Sequence, residues 1–149
     1  MVWDDLVSKV FNISESQIDD KVNELLNLIN NEREKNGLIK LQILPRLQEI
    51  AMTKAEDMVK NNYFSHESPS YGNPFDMMKN FGITYKSAGE NIAGNSSIEG
   101  AFNSWLLSEN HKQNILSTAY NYIGIGISPS EKYGYIIVAM FIRKIASRY

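Results

Sequence analysis

The stretch Ile123-Gly124-Ile125-Gly126-Ile127 constrains the fold of this chain more than any other. Isoleucine at every second position places three branched side chains on one face of an extended strand, because successive strand residues point to opposite faces. The other face carries only the hydrogens of Gly124 and Gly126, so a neighbouring element or a ligand can approach that backbone closely. Tyr133 to Ile142, rich in isoleucine, valine and aromatic residues, reads as the second arm of a β-hairpin joined through Pro129-Ser130-Glu131-Lys132.

Upstream of the hairpin, apolar residues recur at helical spacing. Trp3, Leu6, Val7, Val10 and Phe11 predict a short amphipathic helix over 3–12. Ile18, Val22, Leu25, Leu26 and Ile29 predict a longer one over 17–35, with Ser14 and Ser16 as candidate N-caps and Asn36-Gly37 as its stop. Pro45 suits a first helical turn, and Leu47, Ile50, Ala51, Ala55, Met58 and Val59 carry that helix to about residue 61. Residues 63–85 are broken by Pro69, Gly72, Pro74 and Gly82, leaving room for one short helix near 74–80. Ser96 and Ser97, with Glu99, predict a capping box ahead of the stripe Ile98, Ala101, Phe102, Trp105 and Leu106.

Helices followed by a compact antiparallel sheet predict an α+β fold layered helix, sheet, helix, rather than an alternating parallel one. Residues 1–16 read as a helical extension and 17–149 as one domain. A chain of 149 residues, 43% of them hydrophobic, supplies one ordinary core. A net charge of −2 gives no basic excess for a phosphate backbone, so nucleic acid is not an expected partner. The absence of cysteine removes disulfides, thiolate nucleophiles and cysteine-ligated zinc. No apolar run approaches the roughly 18–20 residues of a membrane span, and the first residues lack the pattern of a signal peptide.

Three polar clusters interrupt this apolar pattern: Tyr63-Phe64-Ser65-His66-Glu67, Ala88-Gly89-Glu90-Asn91-Ile92-Ala93, and Ser108-Glu109-Asn110-His111. The chain's two histidines, His66 and His111, stand at element ends where a cleft can gather them. Imidazole is the commonest metal ligand, and two imidazoles with one or two carboxylates meet the demand of zinc while leaving room for water. Taken singly, either histidine reads more simply as a capping or surface residue. Glu90, among small and apolar neighbours, needs a partner if buried. Asp76 reads most simply as a first-turn residue complementing a helix dipole. His66-Glu67 continues to Ser68-Pro69 and not to a zincin's second histidine, Gly94 to Ile98 lacks a nucleophile elbow's last glycine, and Pro129 spoils a dinucleotide loop after Gly124. Two Asn-X-Ser matches, at Asn12 and Asn95, matter only in a eukaryotic secretory route.

Taken in order, Tyr63-Phe64-Ser65-His66, Gly89-Glu90-Asn91-Ile92-Ala93, Ser104 to Ser108, His111 to Leu116 and Tyr122 to Gly126 closely resemble the CAP superfamily, over roughly residues 20–142. That family unites cysteine-rich secretory proteins, antigen 5 and plant pathogenesis-related proteins, and the chain is most similar to its bacterial, cysteine-free branch. The resemblance implies a three-layer αβα sandwich around a small central antiparallel sheet. It also implies a secreted or cell-surface location, with a signal peptide or lipid anchor absent from this segment and expected to have been removed. The implied cleft tetrad is His66, Asp76, Glu90 and His111, with zinc or another divalent cation on His66 and His111 and no organic cofactor. Asn91 and Glu109 are supporting candidates. Asp76 is a methylene shorter than the glutamate many relatives carry, and Glu109 stands where bacterial relatives commonly have proline. The functions to be weighed are a cation site, a metal-dependent hydrolase with Glu90 as general base, and a non-catalytic module, expected to be monomeric, that binds a lipid, a sterol, or a cell-envelope or host protein.

Overall fold

The computed structural model describes residues 13–144, so the helix expected over 3–12 lies outside the described residues. Helix α1 (Glu15–Lys35) opens on Ser14, whose Oγ accepts from the Gln17 N–H at 3.2 Å while Gln17 Oε1 accepts from the Ser14 N–H at 2.8 Å, a reciprocal capping box. A two-residue strand β1 (Gln42–Ile43) leads to α2 (Pro45–Lys60), followed by the short α3 (Pro74–Asn80). Strand β2 (Tyr85–Asn95), helices α4 (Ile98–Leu107) and α5 (Glu109–Leu116), and strands β3 (Tyr122–Ser130) and β4 (Gly134–Lys144) complete the order. The box expected at Ser96 and Glu99 does not form. Ser97 is the cap and accepts from the Gly100 N–H at 2.9 Å, so the residue that would return the bond is a glycine.

Helices α1, α2 and α3 end alike. Gly37, Asn62 and Gly82 take positive φ angles of 74°, 51° and 91°, and the next residue's N–H reaches back to Arg33, Met58 and Met78 at 2.9, 3.1 and 2.9 Å. This is the Schellman closure, which satisfies the last carbonyls of each helix.

The sheet order is β1-β3-β4-β2, with β2, β4 and β3 antiparallel and β1 adding a parallel pair at Gln42–Tyr122 and Ile43–Ile123. The hairpin is tighter than expected: Pro129 and Ser130 belong to β3, paired with Tyr135 and Gly134. Proline is tolerated there because β1 ends at Ile43, opposite Ile123, leaving β3 with only β4 beside it.

Both sheet faces are covered. Ile123, Ile125, Ile127, Ile137, Ala139 and Phe141 pack under α1, α4 and α5 with Leu25, Ile29, Trp105 and Ile115. On the other face, Ile92, Ile136, Val138, Met140 and Ile142 meet α2 and α3 through Leu47, Ile50, Ala51, Met58, Met77 and Met78. The layers are therefore α, β and α. The glycine face of β3 lies against α2: a Cβ on Gly124 would overlap the Leu47 backbone, and one on Gly126 the Ala51 carbonyl. The open rims of the sheet are occupied by side chains. Gln48 Oε1 accepts the Ile125 N–H at 2.6 Å beyond the end of β1, while Trp105 Nε1–H donates to the Ile92 carbonyl of β2 at 3.0 Å.

Candidate functional site

Helix α2 carries two buried charges in its apolar stripe, Lys54 and Asp57. Asp57 accepts from Asn61 Nδ2 at 2.6 Å, from Ser68 Oγ at 2.7 Å and from the Tyr63 hydroxyl. Ser68 Oγ in turn accepts the N–H groups of Ser70 and Tyr71 at 3.1 and 3.0 Å. The Lys54 ammonium donates to the His66 carbonyl. One face of α2 thus pins the segment from Tyr63 to Tyr71, which has no regular structure to hold it. Burial, then the hydrogen bond to Asp57, pushes the Tyr63 hydroxyl well above its ordinary pKa, so it remains a donor.

This pinning sets His66 against β2. His66 Nδ1 lies 2.7 Å from Glu90 Oε1, and the Lys54 ammonium lies 3.8 Å from the same oxygen. The side chain of His66 is 52% exposed, whereas those of Glu90 and Lys54 are 1% and 0% exposed. A carboxylate only accepts, so the Nδ1 proton belongs to the histidine, and neutral His66 keeps its lone pair on Nε2. Glu90 Oε2 is buried without a hydrogen-bond partner. Desolvation lowers the Lys54 pKa, opposed by the charges of Glu90, Asp57 and Glu67.

The polar exit from the Trp105 helix turns into α5, whose first turn carries His111. Its ring stacks near Trp105, with centroids 6.4 Å apart and planes 28° apart. A chain of amides holds its backbone: Asn91 Nδ2 donates to the His111 carbonyl at 3.0 Å, Asn114 Nδ2 to Asn91 Oδ1 at 2.8 Å, and the Tyr120 hydroxyl to Asn114 Oδ1 at 3.3 Å. Gly89 leaves room for this chain, since a Cβ there would come 2.5 Å from the Tyr120 hydroxyl and 2.9 Å from Asn114 Oδ1. Burial, then the charge of His66, lowers the His111 pKa.

The structure therefore joins His66 to Glu90 and holds His111 beside Trp105 in the first turn of α5. It does not bring Asp76 to them. That carboxylate is exposed in the first turn of α3, where Oδ2 accepts from Asn73 Nδ2 at 3.1 Å. Glu109 is also exposed and accepts from Gln113 Nε2 at 3.4 Å in its own helix, while Asn91 is fully buried as the link to His111. Among the described residues, no three His, Asp or Glu side chains converge closely enough to share a metal ion. Any cation held here would therefore have at most two of these side chains as ligands. Lys54, Asp57 and Asn114 complete the site without having been singled out from the sequence, and Tyr120 joins them through Asn114. For Lys54 a signal existed: position 54 falls between Ile50, Ala51 and Met58 on the buried stripe.

Residues 26–141 match the CAP family, described as the cysteine-rich secretory protein family. The chain belongs to the CAP family. It is 48% identical over 122 residues to the YkwD protein of Bacillus subtilis, covering 81% of this chain and 46% of that protein. It is 38% identical over 131 residues to the membrane protein YlbC of the same organism, covering 85% and 35%. This CAP chain thus spans less than half the length of both curated relatives. In structure it is similar to an extracellular SCP-domain protein of Bacillus anthracis, with a TM-score of 0.79 at 29% identity over 89% of this chain and 44% of that one. An outer surface protein of Borrelia burgdorferi shares the fold at a TM-score of 0.78 and 21% identity, over 85% of this chain and 94% of that one. These structural neighbours are an extracellular and an outer surface protein, and no helix among the described residues is long and apolar enough to cross a membrane.

Proposed function

We propose that this CAP domain is an extracytoplasmic module that binds a divalent cation, with zinc as the first candidate, between His66 and His111. The 2.7 Å contact from His66 Nδ1 to Glu90 Oε1 carries this reading. Metal-ligating histidines almost always donate their other ring N–H to a carboxylate or carbonyl, which fixes the tautomer and aims the free nitrogen outward. In this reading Glu90 orients and His66 ligates. His111, its pKa lowered, offers a second neutral imidazole. Two protein ligands leave the remaining positions to water, so binding is weak compared with a structural zinc site. A bound ion would supply Lewis acidity and a water of lowered pKa.

Isothermal titration with zinc near neutral pH tests this. Wild type is expected to bind and a His66→Ala, His111→Ala double variant to lose binding; equal affinity removes the histidines from the site. Glu90→Gln is expected to weaken binding by about 10–100-fold through loss of ring orientation. A hydrolase in which Glu90 itself takes a proton from water is less well supported, because its carboxylate is buried behind His66 and beside Lys54.

One observation favours a second reading, in which the module takes an apolar ligand such as a lipid or sterol. A groove of about 610 Å³ runs between the end of α2 and the β3–β4 hairpin, walled by Met58, Val59, Tyr63, Phe64, Tyr133 and Ile136 and rimmed by the polar Asn62, Ser130, Glu131 and Lys132. This lies within the size range typical of small-molecule sites. Around Phe64 most apolar side chains are committed to packing: Met77 and Met78 are core, and Tyr71 and Phe81 pack edge to face at 5.6 Å, leaving Phe64 and Phe75 about two-fifths exposed. Purified protein extracted and analysed by mass spectrometry is expected to release lipid. A lipid-free preparation with no sterol affinity overturns this reading.

A further inference from the structure

We propose that the groove between the end of α2 and the β3–β4 hairpin binds a neutral saccharide, stacking the apolar face of a pyranose ring on Phe64 and bonding its hydroxyl groups at the rim. Neither imidazole lines this groove, so the inference stands without the cation reading, and it gives the groove a different occupant from a lipid.

A pyranose ring is amphipathic: its faces carry C–H groups and its edge carries hydroxyls. A matching site has aromatic faces for the ring, with donors and acceptors around them. Tyr63, Phe64 and Tyr133 supply the aromatic surface here, and Asn62, Ser130, Glu131 and Lys132 stand around it. The rings are held in place. The Tyr63 hydroxyl is tied to Asp57, and the Tyr133 ring lies on Gly94, where a Cβ would come within 2.6 Å of it. Phe64 leans on Tyr133 with centroids 5.6 Å apart and planes at 46°, yet is 43% exposed. A lone exposed phenylalanine is ordinary surface; one backed by a fixed ring in a groove of this size is a platform.

The rim favours a saccharide over a lipid. Glu131 and Lys132 are exposed neighbours of opposite charge, and neither forms an ion pair among the described residues. An anionic headgroup drawn to Lys132 would be opposed by Glu131. A polyol suits both, since each hydroxyl can donate to the carboxylate or accept from the ammonium or the Asn62 amide. The Lys132 ammonium stands over the aromatic wall, 5.2 Å from the centre of the Tyr133 ring. An acyl chain gains less where its wall is open to solvent, as at Phe64.

Saturation-transfer NMR and isothermal titration with the tetrasaccharides of N-acetylglucosamine, glucose and mannose test this. At least one is expected to bind wild type, with transfer to its ring C–H protons. Phe64→Ala is expected to weaken that binding on the order of tenfold and Phe64→Trp to keep it. Glu131→Gln combined with Lys132→Met is expected to weaken it as well, while Leu107→Ala, outside the groove, leaves it unchanged. Circular dichroism checks that each variant is folded, and Phe64→Leu, which keeps apolar bulk without an aromatic face, serves should Phe64→Ala not fold. Absence of binding by all three sugars overturns the proposal, as does equal affinity of wild type and Phe64→Ala. Lipid released from the purified protein and lost in Phe64→Ala overturns it in favour of the apolar occupant.

Discussion

Gly126→Val is expected to leave the chain without a stable fold. A Cβ at position 126 would overlap the Ala51 carbonyl, and the backbone of Met52 lies just beyond. The obstruction is the main chain of α2, which cannot step aside as a flexible side chain can. Relief requires the helix to lift from the sheet, opening contacts among Leu47, Ile50, Met58, Val138 and Met140. Overpacking a core usually costs about 1–3 kcal/mol where side chains can adjust. Where a helix must move, we expect more than about 4 kcal/mol, against a total stability on the order of 5–15 kcal/mol for a domain. Gly126→Ala should show a smaller loss, about 3 kcal/mol. Urea denaturation followed by circular dichroism measures both, with Leu107→Ala, at a residue 90% exposed, as a control expected within about 0.5 kcal/mol of wild type. A cooperative transition for Gly126→Val at the wild-type midpoint would show that α2 does not rest on the glycine face.

The second large effect is expected at Arg33. Its guanidinium is buried at the end of α1 and donates from Nε to the Ile39 carbonyl at 2.8 Å and from Nη1 to the Ile115 and Ser117 carbonyls at 2.9 Å each. Two of these acceptors close the C-terminal end of α5, where a cation is favoured by the helix dipole. Arg33→Met keeps much of the stem but leaves three carbonyls without their donor. Only the Ile115 bond is fully buried, the Ile39 and Ser117 bonds being partly so; at about 1–3 kcal/mol for a buried group left unsatisfied and less where water can enter, we expect a loss of about 2–4 kcal/mol. Arg33→Lys, with a single ammonium for three divergent acceptors, is expected to fall between. Because His111 sits in the first turn of α5, Arg33→Met should also weaken zinc binding more than a matched loss of stability elsewhere. A Met variant with the wild-type urea midpoint would remove Arg33 from the role of clamp.

What could be read in advance follows from how each element is built. Helices α1, α2 and α4 announce themselves because their apolar residues fall on single stripes and their ends carry Ser14, Pro45 and Ser97. Strand β2 gives no such sign. Its sequence, Tyr85 to Asn95, mixes glycine, polar and apolar residues because both its faces are buried, with Glu90 and Ile92 toward α2 and Asn91 and Ala93 toward α4 and α5. Helix α5 is equally silent, since Ile115 is its one buried residue. The pairing of His66 with Glu90 joins residues 24 apart through a loop held by Lys54 and Asp57, which in sequence look like ordinary charges on a helix. The buried charges were visible only as interruptions of an apolar stripe, Arg33 one turn beyond Ile29 and Lys54 one turn beyond Ile50. Asp76 shows the reverse: its simplest local reading, a first-turn acid after Pro74, is what the structure holds.

The rims of the sheet also bear on how many copies of this protein can stay apart when crowded. An unpaired strand edge is a template on which another chain can continue the sheet, and repeated addition leads to fibres. Here the indole of Trp105 occupies the Ile92 carbonyl on one rim, and the amide of Gln48 occupies the Ile125 N–H on the other. Each rim is interrupted at one position by a side chain from a packed helix. A further strand arriving at either rim would find that ladder position already taken by a side chain.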